Sequence, residues 1–213
     1  MNTQLFKRIV GVFLIVIGVI ALLTPFTPGS WLAIIGLELL GFELVYTKRF
    51  AAFLERFHEE RPWLLASIAF VAPFVAGAVG AHFTTSQIPS WYVGLVKPSW
   101  TPPAFVFGPA WTTLYLLMGI AAVLIARKQL KEVVRPLGIY FTQLVLNAGW
   151  PLTFFGMHAP VLALGVIFAL WSLILWLIIE ARRLSRPAAW LLAPYLLWVT
   201  YAASLNLGVV WLN

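Results

Sequence analysis

The sequence predicts an all-α integral membrane protein of seven helices, a two-helix transmembrane hairpin followed by a five-helix bundle. Three observations carry that expectation. Of 213 residues, 62% are apolar and 10% charged, against about 25% charged in a soluble domain, so there is too little polar surface to cover a water-soluble globule. The apolar residues fall into seven runs, 9–23, 31–46, 63–83, 104–126, 136–155, 160–180 and 188–210. No run repeats the period-two alternation of a transmembrane strand, which leaves helices.

The first two runs, of 15 and 16 residues, are short for a bilayer core, which takes about 20 residues. Thr24-Pro25-Phe26-Thr27-Pro28-Gly29-Ser30 joins them, a turn with no small-x-small cleavage site. Residues 1–46 therefore read as a membrane hairpin rather than a signal peptide. In 47–61, Phe50, Phe53, Leu54 and Phe57 recur at helical spacing among charged side chains, the pattern of an amphipathic linker on the cytoplasmic surface. The five runs beyond it are long enough to span and make up the third unit, 62–213. In the first of them, the pairs Ala76/Gly80 and Gly77/Ala81 allow close helix packing.

Charge orients the spans. Lys7 and Arg8 precede the first run, Lys48, Arg49, Arg56 and Arg61 follow the second, Arg127, Lys128, Lys131 and Arg135 follow the fourth, and Arg182, Arg183 and Arg186 follow the sixth. The alternate connections hold only Lys97. Basic residues concentrate on the cytoplasmic side of membrane proteins, so the N-terminus is expected inside and the C-terminus outside. The formal net charge of +7 is thus a topology signal. It forms no face or stripe for a nucleic acid to follow, and no nucleic-acid partner is expected.

Catalytic and metal-binding chemistry is sparse. With no cysteine there are no disulfides, iron–sulfur clusters or thiolate zinc sites. All seven acidic residues are Glu, and the three histidines, His58, His82 and His158, are scattered. His82 and His158 fall at the outer interface, where an interfacial role is favoured over ligation of a porphyrin iron. Glu38 and Glu43 fall in or at the end of the second run and Glu180 closes the sixth. No metal site is expected.

The binding candidates are aromatic and amide side chains. The outer loop 84–103 is long for a bundle connection and rich in Pro and Trp, so that its aromatics read as an interfacial belt first and as a binding lid second, two roles that are not exclusive. Gln143, Asn147, Trp150 and Phe154 share one helix face through steps of four and three. Trp111, Trp198 and Asn206 fall at matching depths on neighbouring spans. Polar side chains at membrane depth turn inward, where they either bond neighbouring helices or contact a ligand. Together they would line an aromatic cavity beneath the loop.

These residues resemble a known family. Trp91-Tyr92, Lys97-Pro98-Ser99-Trp100-Thr101-Pro102-Pro103 and Val106-Phe107-Gly108-Pro109-Ala110-Trp111-Thr112-Thr113-Leu114-Tyr115, with Gln143 to Asn147, Trp150, Phe155-Gly156-Met157 and Pro194-Tyr195-Leu196-Leu197-Trp198 through Asn206, are similar to the TspO/translocator protein family. Its members are also called tryptophan-rich sensory proteins or peripheral benzodiazepine receptors. In the hairpin, Thr27-Pro28-Gly29-Ser30-Trp31 partly resembles a small transmembrane family named for a Pro-Gly-Pro-Gly-Trp turn.

The resemblance implies a five-helix fold, often homodimeric, with a pocket for porphyrins or other haem-type tetrapyrroles beneath the first loop and no required cofactor. The ligand-binding residues it points to are Tyr92, Trp100, Trp111, Asn147, Trp150, Trp198 and Ala202. The function expected is a receptor or carrier in a bacterial cytoplasmic membrane. The alternatives are a porphyrin-degrading enzyme, whose pocket tryptophans would be Trp111 and Trp198, and a small-molecule transporter. The family's sterol motif needs a basic residue after an aromatic, and none follows Tyr201, so sterol binding is not expected.

Overall fold

The computed structural model describes residues 60–213 together with Arg56. The predicted hairpin, with Glu38 and Glu43, and most of the linker lie outside the described residues. Five helices make up the described part: α1 Pro62–Thr85, α2 Phe107–Ala126, α3 Leu130–Pro151, α4 Pro160–Leu184 and α5 Arg186–Leu212. There is no strand among the described residues. The predicted helical class is thus observed for this part of the chain.

Local chemistry sets the boundaries. Proline stands in the first turn of α1, α4 and α5, where its missing N–H has no partner to lose. Ser185 alone separates α4 from α5. Its extended backbone ends one helix, and its hydroxyl accepts from the Ala188 N–H at 3.4 Å to cap the next.

Four helical segments, Trp63–Thr85, Ala104–Ala126, Pro160–Leu184 and Arg186–Leu212, have the length and apolar composition to cross a bilayer. The fifth, expected as a span over 136–155, differs in two ways. The α-helix starts earlier, at Leu130, and ends at Pro151, passing into a π-turn over Leu152–Gly156. It also falls short of span composition, because Lys131, Glu132 and Arg135 occupy its start and Gln143 and Asn147 its middle. Pro136 does not break the helix, since the Glu132 carbonyl it leaves without a donor lies in the exposed first turns.

The helices close a ring in which α1 packs on α2, α2 on α5, α5 on α4, α4 on α3 and α3 on α1. Met118, Tyr140, Ile174, Leu192 and Tyr195 inside the ring are fully buried. The outward faces of α1 (Val71, Val75, Val79), α4 (Val161, Phe168) and α5 (Trp190, Leu197) expose large apolar groups, as expected where lipid is the solvent.

The small residues of α1 work within the chain. A side chain on Gly77 would overlap the Tyr115 ring of α2. A Cβ on Gly119 of α2 would lie 2.8 Å from the Phe70 carbonyl oxygen, and one on Gly80 would lie 3.1 Å from Pro151. Ala81, the other end of the predicted Gly77 pair, is exposed.

Close approach is matched by hydrogen bonding. Pro73 lies inside α1 and has no N–H to give the Ala69 carbonyl one turn earlier. An unmet carbonyl is costly in a bilayer, where no water replaces the lost donor. Tyr140 of α3 supplies it: its hydroxyl donates to Ala69 O at 2.8 Å, fully buried.

At the opposite end from the 84–103 loop, Arg61, Arg127, Lys128, Lys131, Arg135, Arg182, Arg183 and Arg186 gather around the helix termini. There Glu180 of α4 pairs with Arg135 of α3 at 3.4 Å and with Arg183 at 3.5 Å, and accepts from Trp176 Nε1 at 3.2 Å.

An aromatic interior beneath an anchored loop

The loop between α1 and α2 is fastened on several sides. Its 3₁₀ turn, Tyr92–Gly94, sets Trp91 and Tyr92 against Phe154 and Phe155 of the π-turn, alongside Ala163 and Val209. Trp91 stacks on His158 with centroids 4.4 Å apart, and His158 Nε2 is 2.9 Å from Gln87 Oε1. Pro98 sits on Gly208, where a Cβ would overlap it. Tyr201 donates to the Trp100 carbonyl at 2.7 Å. The Asn213 amide bonds both backbone groups of Val96 at 3.0 Å.

Lys97 is the single Lys or Arg at this end among the described residues. Its ammonium donates to the Leu95 carbonyl at 3.1 Å and lies 4.9 Å from the centre of the Tyr92 ring. Burial raises the Tyr92 phenol above its ordinary range.

Beneath the loop a polar chain threads the aromatic core. Asn147 Nδ2 donates to Tyr195 Oη at 2.9 Å, and Tyr195 donates to Gln143 Oε1 at 2.9 Å. Tyr115 makes a longer bond to Asn147 Oδ1 at 3.4 Å. Trp111 stacks on Tyr115 at 5.4 Å and meets Tyr195 and Trp198 edge-on at 6.3 and 6.4 Å. Nearer the loop, Trp150 stacks on Phe154 at 5.1 Å and donates to Asn206 Oδ1 at 3.0 Å. Asn206 passes the chain on to the Pro160 carbonyl at 2.9 Å. Among the described residues, two buried donors have no partner, Gln143 Nε2 and Trp198 Nε1.

The expected site residues thus sort into three groups. Trp111 and Asn147 meet at Tyr195, Trp198 lies edge-on to Trp111, and Ala202 packs against the same core. Tyr92 and Trp150 join the cluster under the loop. Trp100 has an exposed ring and ties to the bundle through its carbonyl. Asn147 and Trp150 make inter-helix hydrogen bonds, one of the two roles open to them from sequence.

Tyr115 and Tyr195 belong to the same cluster, and the sequence alone did not single them out. The signal that could have found them is spacing, since Tyr115 lies one turn beyond Trp111 and Tyr195 three residues before Trp198. On the outside of the ring, a groove of about 710 Å³ runs between α2 and α5, lined by Phe105, Pro109, Pro194, Leu197, Trp198 and Tyr201.

Fold and site together define a helical membrane protein with a buried aromatic and amide interior capped by an ordered loop. The chain belongs to the TspO/MBR family, which it matches over residues 69–212. It is 41% identical over 139 residues to the "Tryptophan-rich protein TspO" of Chlorobaculum tepidum, covering 64% of this chain and 88% of that one. It is 36% identical over 157 residues to the human "Translocator protein", covering 68% and 88%. A "Tryptophan-rich sensory protein" of Cereibacter sphaeroides is 39% identical over 139 residues, covering 64% and 87%. Residues 4–57 match a second family, described as "Putative transmembrane protein (PGPGW)".

Proposed function

We propose that this protein is a membrane receptor or carrier that binds porphyrins or other hydrophobic tetrapyrroles in the aromatic interior beneath the 84–103 loop. The observation that carries the reading is the pair of buried donors, Gln143 Nε2 and Trp198 Nε1, that have no partner among the described residues. A buried donor without an acceptor costs about 1–3 kcal/mol, and a ligand acceptor recovers that cost. Trp111, Tyr115 and Trp198 offer ring faces and edges to a flat macrocycle. The names of the relatives, sensory and translocator, agree with a receptor or carrier role.

In detergent, protoporphyrin IX should quench tryptophan fluorescence saturably. Replacing both Trp111 and Trp198 by Phe should weaken its affinity by about tenfold, roughly the worth of one or two aromatic pairings with the macrocycle. Unchanged affinity, corrected for the missing fluorophores, rejects this pocket.

The 6.4 Å edge contact between Trp111 and Trp198 favours one second reading, photo-oxidative breakdown of the bound porphyrin by oxygen. Illuminating the aerobic complex separates the two readings. Binding alone leaves the porphyrin absorption bands intact, whereas breakdown replaces them with those of an open-chain product.

We further place the protein in a bacterial cytoplasmic membrane, N-terminus inside, as a homodimer. The one-ended basic distribution supports the orientation. Gly138, Thr142 and Val145 form an exposed face of α3 on which a second copy can pack closely.

A further inference from the structure

Gln143 has no exposed surface, and the hydrogen bonds leading to it have a direction. Tyr195 accepts from Asn147 and gives its single proton to Gln143 Oε1, so the chain ends on the Gln143 amide nitrogen, which has no acceptor among the described residues. Turning both amides over would make Asn147 donate to Tyr115 Oη, leaving the Tyr115 proton unmatched as well. Of the two senses, the first leaves fewer open groups, which assigns the open group at Gln143 as a donor.

The surroundings decide what that donor can take. Residues 136–179 and 187–213 contain no Lys, Arg, Asp or Glu, and 62–126 contain only Lys97 in the loop. A carboxylate at Gln143 would be buried with no cation beside it among the described residues, which costs far more than one hydrogen bond returns. A neutral carbonyl has no such penalty.

Depth agrees with this. Gln143 lies eight residues before Pro151, which places it about 12 Å along α3 from the loop end of that helix. A flat macrocycle reaching between the two levels can set one edge at Gln143 and leave its carboxylates toward Lys97.

We propose that Gln143 is a specificity-determining residue that selects ligands bearing a neutral carbonyl on the edge opposite their carboxylates. The inference rests on the tetrapyrrole reading above and narrows its ligand class.

Mesoporphyrin IX and 2,4-diacetyldeuteroporphyrin IX share a macrocycle and propionates and differ only in two ethyl or acetyl groups on the opposite edge. The wild-type protein should bind the diacetyl compound about tenfold more tightly, the worth of one well-formed buried hydrogen bond. Gln143→Leu should remove the preference by weakening the diacetyl compound alone. The acetyl C=O stretch of the bound ligand should move to lower frequency in the wild type and not in the variant.

Equal affinities in the wild type, a measurement that needs no variant, overturn the role of Gln143 and leave the pocket standing. So does a preference that survives Gln143→Leu. If neither porphyrin quenches the wild-type protein, the tetrapyrrole reading itself falls and this inference with it.

Discussion

At the scale of single residues, the contact between Tyr140 and Ala69 shows how one residue dictates another. Pro73 removes the donor that would serve the Ala69 carbonyl, and the Tyr140 hydroxyl replaces it across the α1–α3 interface. Tyr140→Phe should cost about 1–2 kcal/mol in detergent unfolding, a buried hydrogen bond with its acceptor left unmatched. In a Pro73→Ala background, residue 73 regains its own N–H, and the same change should cost clearly less. Equal costs in both backgrounds, read as a double-mutant cycle, would mean the bond does not serve the carbonyl freed by Pro73. Gln143 and Asn147 were legible in sequence because steps of four place them on one face. Their partner Tyr195 was not, because helix spacing is local whereas this pairing spans 48 and 52 residues.

At the scale of elements, the apolar runs located the described helices to within a few residues, as 160–180 against Pro160–Leu184 and 188–210 against Arg186–Leu212 illustrate. The helices run further because backbone bonding continues through Arg182 and Arg183, whose charged ends reach the water. The least well placed was α3, whose charged start hid six residues of helix and whose polar interior masked its place in the ring. The loop was legible as stiff and aromatic, but its fastenings were not. Asn213 bonds Val96 on both backbone groups, a side-chain substitute for a strand partner. Asn213→Ala should speed amide exchange at Val96 by about an order of magnitude while leaving α2 and α4 protected. Unaltered exchange at Val96 would show that Pro98 on Gly208 and Tyr201 on the Trp100 carbonyl hold the loop without it.

At the scale of the whole molecule, the absence of cysteine gives a clean background for testing orientation and assembly. Ser90 and Gln129 are exposed at opposite ends of the five-helix unit. In intact bacterial cells a membrane-impermeant maleimide should label Ser90→Cys and spare Gln129→Cys, and the reverse pattern would overturn the proposed orientation. Val145→Cys, 70% exposed on α3, should form a disulfide-linked dimer under mild oxidation, whereas Trp190→Cys on α5 should not. By itself the sequence determined the membrane class, four of the spanning helices and the family, since each depends on local composition and motifs. The tertiary structure alone decided which polar groups are matched and which stay open. The ring order α1–α2–α5–α4–α3 brings distant helices together, and in a medium without water each buried polar group depends on the partners that this order supplies.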